Sequence, residues 1–282
     1  MIRHVSAVDI TESASKLLRQ ACCELDEDVL GALKNAYRVE ESLLGREVIN
    51  TIVENAAIAV AEKLPLCQDC GTIVVFLEIG QEVHIVGGEI VGAVDEGVRV
   101  AVKEGYLRSS IVERPFTARR NTGDNTPAIV HTEVVPGDKL KISVLPRGGG
   151  AENMSRLGML LPSAGREGVI DFITKTVDEA WSKPCPPLIL GVGIGGTGEK
   201  ALAMAKHALL RRLGEPSPDK EVAGLEYDIL HRVNRLGIGP MGYGGKVTAL
   251  AVHAESFPAH ITSLPVAVNF QCHSARHREI VL

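Results

Sequence analysis

Apolar residues recur at helical spacing over two long stretches near the start of the chain. Residues 8–35 and 40–64 read as helices, the second marked by Val48, Ile49, Ile52, Val53, Ala56, Ala57 and Val60. Leu64-Pro65 closes that helix, because a proline disfavours the helical region for the residue before it. Over 72–79 the pattern changes to Val, Ile, Thr and Phe, which suit a strand. Helical spacing returns over 87–105 through Ile90, Val91, Val94 and Val98. Strands are expected at 127–135 and 139–145, with Pro136-Gly137-Asp138 between them as a hairpin turn. The periodicity then predicts helices at 166–181, 199–213 and 219–236, and strands at 188–192, 246–256 and 261–270. The Pro/Gly stretch at 214–218 has the length of a helix–helix connection. With no repeat and no low-complexity linker, this order predicts an α+β fold. It would be a mixed β-sheet with flanking helices in a single large domain, residues 1–282.

Composition narrows the class. At 282 residues the chain can bury a substantial core, and 45% hydrophobic with 23% charged residues is ordinary for a globular protein. Aromatics make up only 4%, so Val, Ile, Leu and Ala must supply that core. A net charge of −5 offers no basic face for nucleic acid, and nucleic-acid-binding motifs are absent. No apolar run approaches the length of a membrane span, and residues 1–16 lack the apolar core of a secretory signal. A reducing cytoplasm is therefore expected. Six cysteines there suit ligands, catalysts or packing better than disulfides.

Gly191-Val192-Gly193-Ile194-Gly195-Gly196 matches the dinucleotide-binding pattern and lies between an expected strand and an expected helix. The context fails. Glu215, near the spacing of the ribose-binding acid, sits in Gly214-Glu215-Pro216-Ser217-Pro218, a turn leaving a helix rather than the end of a parallel strand. A sharp strand-to-helix turn that needs glycine explains the motif better.

Three cysteines lie in peptides richer in polar and turn residues than packing requires. Cys67 is in Pro65-Leu66-Cys67-Gln68-Asp69-Cys70-Gly71-Thr72, Cys185 in Pro184-Cys185-Pro186-Pro187, and Cys272 in Asn269-Phe270-Gln271-Cys272-His273. Their separations exclude local ferredoxin patterns, and from spacing alone buried packing leads. Cys22 and Cys23, on an amphipathic helix, fit packing well. Cys67 and Cys70 form a C-x-x-C pair, so a zinc or dithiol redox protein is a rival reading. That pair follows a helix and precedes a strand, the reverse of a thioredoxin-like dithiol, and a second cysteine pair for zinc is missing. The prolines stiffen the backbone around Cys185. Gln271, His273, Arg276, His277 and Arg278 surround Cys272 with donors that suit thiolates or anions.

Several motifs, in order from about residue 8 to the end, resemble the class I fumarate hydratases and the related L-tartrate dehydratases, which are iron–sulfur hydro-lyases. They are Leu66-Cys67-Gln68-Asp69, Asn121-Thr122-Gly123-Asp124-Asn125-Thr126-Pro127-Ala128, the glycine-rich loop Gly148-Gly149-Gly150-Ala151-Glu152-Asn153, Cys185-Pro186-Pro187, Gly195-Gly196-Thr197 and Gln271-Cys272-His273.

The resemblance implies a [4Fe-4S] cluster held by Cys67, Cys185 and Cys272, with one iron left for water or substrate. It implies that Asp69 transfers a proton, that Gln68 and Arg108 contact substrate, and that Gly149 lies where backbone amides approach the ligand. His260, twelve residues before Cys272, matches a family histidine near the substrate entrance. The plain alternatives are a turn aspartate bonding its own backbone, a solvated arginine, and a surface or core histidine.

The implied activity is reversible hydration of fumarate to (S)-malate, a step of the tricarboxylic acid cycle, by a cytoplasmic enzyme. The intact segment 121–128 favours fumarate, and an L-tartrate dehydratase α subunit is the alternative. A catalytically silent partner that keeps the fold is a third possibility. The chain stops ten residues after Cys272, so it resembles an α subunit that needs a separate β subunit, with self-associating α chains. One departure stands out: Cys70 occupies the position where the family usually has threonine, which leaves its role open.

Overall fold

A computed structural model describes residues 2–282. Its strands are β1 (Arg3–Ser6), β2 (Thr72–Gly80), β3 (Val83–Val86), β4 (Val112–Glu113), β5 (Arg120–Asn121), β6 (Ile129–Val135), β7 (Leu140–Arg147), β8 (Arg156–Leu160), β9 (Leu188–Gly195), β10 (Ala249–Phe257), β11 (Leu264–Gln271) and β12 (Arg278–Val281). The helices are α1 (Ala7–Cys23), α2 (Glu27–Val39), α3 (Leu43–Glu62), α4 (Ile90–Glu104), α5 (Gly149–Glu152), α6 (Gly165–Ala180), α7 (Gly198–His207) and α8 (Lys220–Asn234). The α+β class expected from the sequence holds. The chain packs as two compact units, one of Met1–Leu25, Asn55–Gly149 and Arg276–Leu282, the other of Asp26–Glu54 and Gly150–Ala275. Among the described residues, no helix is long and apolar enough to cross a membrane.

The first unit is built on a four-stranded mixed sheet in the order β12-β7-β2-β6. Ile73, Val75 and Leu77 of β2 and Ile142 and Val144 of β7 pack with Ile10, Leu17 and Leu18 of α1 and with Val94, Val98 and Ala101 of α4. Each such valine, leucine or isoleucine side chain, fully buried, contributes about 1.5–3 kcal/mol relative to exposure. The hairpin expected from 127–135 and 139–145 does not form. Instead β6 pairs parallel to one edge of β2 and β7 antiparallel to the other. The turn at 136–138 steps over the end of β2, where the Gly80 amide donates to the Lys139 carbonyl at 2.8 Å and the Gln81 amide to Val135 at 2.9 Å. A side chain on Gly80 would lie 2.3 Å from the Gly137 carbonyl oxygen, so glycine makes this crossing possible.

A second difference lies at 8–35, expected as one helix. Residues 24–26 break it, with Glu24 in an extended conformation that caps α1 through its own amide. Asp26, Glu27 and Asp28 then start α2, where acidic residues complement the helix dipole. The Asp28 carboxylate also accepts from the Leu213 amide at 2.6 Å, which fixes the start of α2 within the second unit.

The second unit's sheet runs β10-β9-β11-β8. Helices α6 and α8 cover one face, where Ile170, Ile173, Val177, Leu225 and Ile229 meet Leu190, Val192, Val266, Val268 and Phe270. Helix α7 covers the other face through Ala201 and Ala205 against Ala267. The glycine motif at 191–196 belongs to this contact. A Cβ on Gly191 would fall 1.9 Å from the Ala205 carbonyl oxygen, and one on Gly193 would fall 2.0 Å from that of Ala201. Gly195, at φ +90°, makes the turn out of β9. Close helix–strand packing and a sharp turn account for these glycines.

Candidate active site

In the first unit the site is built around the turn between α3 and β2. The Leu66 amide donates to the Cys22 carbonyl at 2.8 Å, and the Asn55 side chain caps the Leu66 carbonyl at 3.0 Å. Cys67 and Asp69 are half-buried and Gln68 is exposed. The Asp69 amide donates to the Cys67 sulfur at 3.4 Å. Gly71 closes the turn at φ +77°, where a Cβ would lie 2.1 Å from the Arg147 carbonyl oxygen.

Both carboxylate oxygens of Asp69 are held. Oδ1 accepts from the Gly71 amide at 3.0 Å and Oδ2 from the Gly149 amide at 2.7 Å. The first bond is the local turn contact that ordinary aspartate preferences lead one to expect. The second ties the turn to the glycine-rich loop. Gly149 thus directs its N–H at Asp69, and sequence reasoning had no signal for this pairing. Arg276, fully buried, donates from Nη1 to the Asp69 carbonyl at 2.7 Å and lies beside Cys22. Arg278 donates to the His277 and Glu24 carbonyls. Two arginines of the peptide after Cys272 therefore bond to backbone in this unit.

Cys70 is buried, its sulfur accepts from the Arg108 amide at 3.2 Å, and it contacts the Cys67 carbonyl at 3.9 Å. Burial raises its pKa, and the Arg108 amide and the Arg276 charge only partly offset this. Cys70 thus acts as a packed, neutral hydrogen-bonding group. Cys22 is likewise pushed up to about 12, by burial first, and Cys23 is raised by burial and by Glu24. These thiols belong to packing. The Arg108 side chain is exposed, while its backbone is fixed by Cys70 and by Asn125, whose Nδ2 donates to the Arg108 carbonyl at 2.9 Å.

The second unit holds the other two expected ligands. The His273 amide donates to the Cys185 carbonyl at 3.2 Å, so the peptides carrying Cys185 and Cys272 are hydrogen-bonded neighbours. Both cysteines are half-buried and none of the six is in a disulfide. Cys185 has φ +58°, a conformation that non-glycine residues rarely adopt, held by Pro184, by Pro186 and by the Cys185 amide donating to Ser182 at 3.0 Å. His260 is exposed, hydrogen-bonded through Nδ1 to Thr262 at 2.9 Å. It lines a cavity of about 410 Å³ with Gly196, Thr197, Gly198 and Lys200.

The donor chemistry fits an iron–sulfur cluster, for which soft thiolates are the usual protein ligands. Cys67, Cys185 and Cys272 are half-buried residues in segments outside the helices and strands, whereas Cys22 and Cys70 are buried. Among the described residues, no group of three or more His, Cys, Asp or Glu is gathered as a metal site.

Comparison with known proteins fixes the family. The family model described as fumarate hydratase (Fumerase) matches residues 11–281. A protein of Methanocaldococcus jannaschii, provisionally named L(+)-tartrate dehydratase subunit alpha, is 42% identical over 95% of this chain and 95% of its own length. The L(+)-tartrate dehydratase subunit alpha of Escherichia coli strain UTI89 is 32% identical, covering 95% of this chain and 88% of that protein. The counterpart of strain K12 is 30% identical over 97% of this chain and 90% of its own length. On these matches, and on the order of its motifs, the chain belongs to the fumarate hydratase (Fumerase) family of hydro-lyases.

Proposed function

We propose that this chain is the α subunit of a two-component [4Fe-4S] hydro-lyase that interconverts fumarate and (S)-malate. The observation that carries the reading is the turn 67–71, which sets a half-buried thiol two residues from a carboxylate held by two backbone amides. Cys67, Cys185 and Cys272 would hold the cluster. When bound, the cluster supplies a Lewis-acidic iron for the hydroxyl that leaves or arrives.

The chain's own residues supply the rest. Arg108 presents an exposed guanidinium whose donors grip both oxygens of a substrate carboxylate. Asp69, oriented by Gly71 and Gly149, keeps unused lone pairs with which to accept or return the proton at the carbon beside the far carboxylate. Gln68 orients the substrate from the same turn. Gly149 acts through Asp69, and His260 serves at the substrate entrance. The partner is a separate β subunit, as the names of the relatives suggest, and α chains self-associate. The compartment that goes with this reading is a reducing cytoplasm, where thiols persist as cluster ligands.

L-tartrate dehydration is the second reading, favoured by the relatives of M. jannaschii and E. coli that carry that name. Oxygen-free co-purification with the β subunit, followed by iron and sulfide analysis and assays on fumarate and L-tartrate, tests both. A brown complex that hydrates fumarate faster than it dehydrates tartrate is expected. The opposite preference selects the second reading, and a colourless zinc protein removes both.

A further inference from the structure

The segment 121–128 matched the family as a motif, yet no chemical role follows from its sequence. The structure gives it one. Asn125 is fully buried and sits at φ +58°, a left-handed conformation that asparagine tolerates better than most residues. Its side-chain amide spans the backbone of 108–110 as a neighbouring strand would. Nδ2 donates to the Arg108 carbonyl at 2.9 Å, and Oδ1 accepts from the Ser110 amide at 2.6 Å. On the other side of Arg108, its amide donates to the Cys70 sulfur at 3.2 Å.

The clamp is itself braced. Asp124 Oδ1 takes the Thr126 amide at 3.0 Å and hydroxyl at 2.7 Å, and Arg99 Nε donates to Asp124 Oδ2 at 3.2 Å. Asn121 Nδ2 donates to the Ser109 carbonyl at 3.0 Å, and the Ser109 hydroxyl returns a bond to Gly123 at 2.7 Å. Both peptide groups of Arg108 are therefore fixed while its side chain stays exposed.

We infer that Asn125 is the positioning residue for Arg108: its amide orders the 108–110 backbone in advance, so that the guanidinium meets a substrate carboxylate already aimed. This rests on the proposed substrate role of Arg108. Ordering the backbone during folding removes that entropic loss from the binding step, so the effect falls on substrate affinity more than on chemistry.

The test compares Asn125→Asp, Asn125→Gly, Arg108→Gln and the double variant Asn125→Asp/Arg108→Gln, each as the α/β holoenzyme on fumarate and L-tartrate. Aspartate tolerates the left-handed conformation and keeps the Ser110 acceptor but removes the donor to Arg108. Glycine keeps the conformation and removes both bonds, and it serves if the aspartate variant does not fold.

Expected is a roughly tenfold rise in KM with kcat changed less than about twofold, an effect that disappears in the Arg108→Gln background. Hydrogen exchange at the Ser110 amide, read without turnover, should speed up in the glycine variant only. Three outcomes overturn the inference. If Arg108→Gln raises KM and Asn125→Asp does not, positioning fails alone. If the Asn125→Asp effect persists without Arg108, the residue is merely structural. If Arg108→Gln leaves KM unchanged, the substrate role of Arg108 fails, and positioning with it.

Discussion

The backbone amide of Gly149 donates to Oδ2 of Asp69 at 2.7 Å, joining two peptides eighty residues apart in the chain. The bond aims a carboxylate without using a side chain. A Cβ at Gly149 would stand 3.6 Å from that same oxygen, an ordinary contact, so the position tolerates alanine and needs only its N–H. Gly149→Ala should leave kcat nearly unchanged. Gly149→Pro removes the donor and should lower kcat by about tenfold, the kinetic equivalent of one lost hydrogen bond. Asp69→Asn should cost far more, about 10²–10⁴ in kcat, because the amide cannot take the proton. Iron and sulfide content should stay constant across all three. Equal activity in Asp69→Asn and the parent would remove Asp69 from the chemistry.

The cysteines divide by environment. Cys67, Cys185 and Cys272 are half-buried in segments outside the helices and strands, whereas Cys70 is buried and engaged with the Arg108 amide. Substituting serine for any of the first three should drop iron from about four atoms per chain to fewer than one and bleach the visible absorption. Cys70→Ser should retain the cluster, since a hydroxyl also accepts the Arg108 amide. Metal lost from both Cys67→Ser and Cys70→Ser, but kept in the Cys185 and Cys272 variants, would identify a zinc or dithiol C-x-x-C pair instead.

Helices are largely legible in the sequence because their signal is local. The periodicity that places Val94 and Val98 on one face of α4 lies within a single turn of sequence. Strand pairing is not local, and 127–135 with 139–145 shows the consequence: a turn sequence suited to a hairpin steps across β2 instead. The site follows the same division. The Asp69 turn contact to Gly71 is two residues long and readable, but Arg276 reaches the Asp69 carbonyl from 207 residues away. The amide clamp of Asn125 spans 15–17 residues and needs a left-handed backbone that no pattern of apolar residues announces. Short strands such as β8 and β12 escape a reading by periodicity, because four or five residues carry too little of it to register.

Glu40 gives a stability prediction with a definite pH sign. Its fully buried carboxylate accepts from the amides of Glu41 at 2.8 Å, Ser42 at 2.9 Å, Lys246 at 2.9 Å and Val247 at 2.8 Å. Burial alone would raise its pKa, but the four amides outweigh burial and the net shift is downward. A depressed folded pKa contributes stability above the unfolded value, near pH 4.3, and that contribution is lost as pH falls through the folded pKa. Glu40→Gln should therefore destabilise the protein by about 1–3 kcal/mol at pH 7. The gap from the parent should narrow below about pH 4. Urea denaturation at pH 7 and pH 3 measures both, and a gap independent of pH would refute the assignment.

Gly193 tests whether the dinucleotide-like motif serves packing. A Cβ there would fall 2.0 Å from the Ala201 carbonyl oxygen and 2.8 Å from the Ala205 amide nitrogen, both backbone atoms of α7 that cannot swing aside. Gly193→Ala must push α7 from β9, and overpacking of this kind costs about 1–3 kcal/mol or more. Gly31 is the matched control. It lies exposed within α2, and a Cβ added there would meet nothing within 4 Å, so alanine should stabilise by about 0.5–1 kcal/mol through helix propensity. Opposite signs in thermal denaturation are expected for the two substitutions. If Gly193→Ala left stability intact and instead abolished binding of a nicotinamide dinucleotide, the glycines would be reading a cofactor and not a helix.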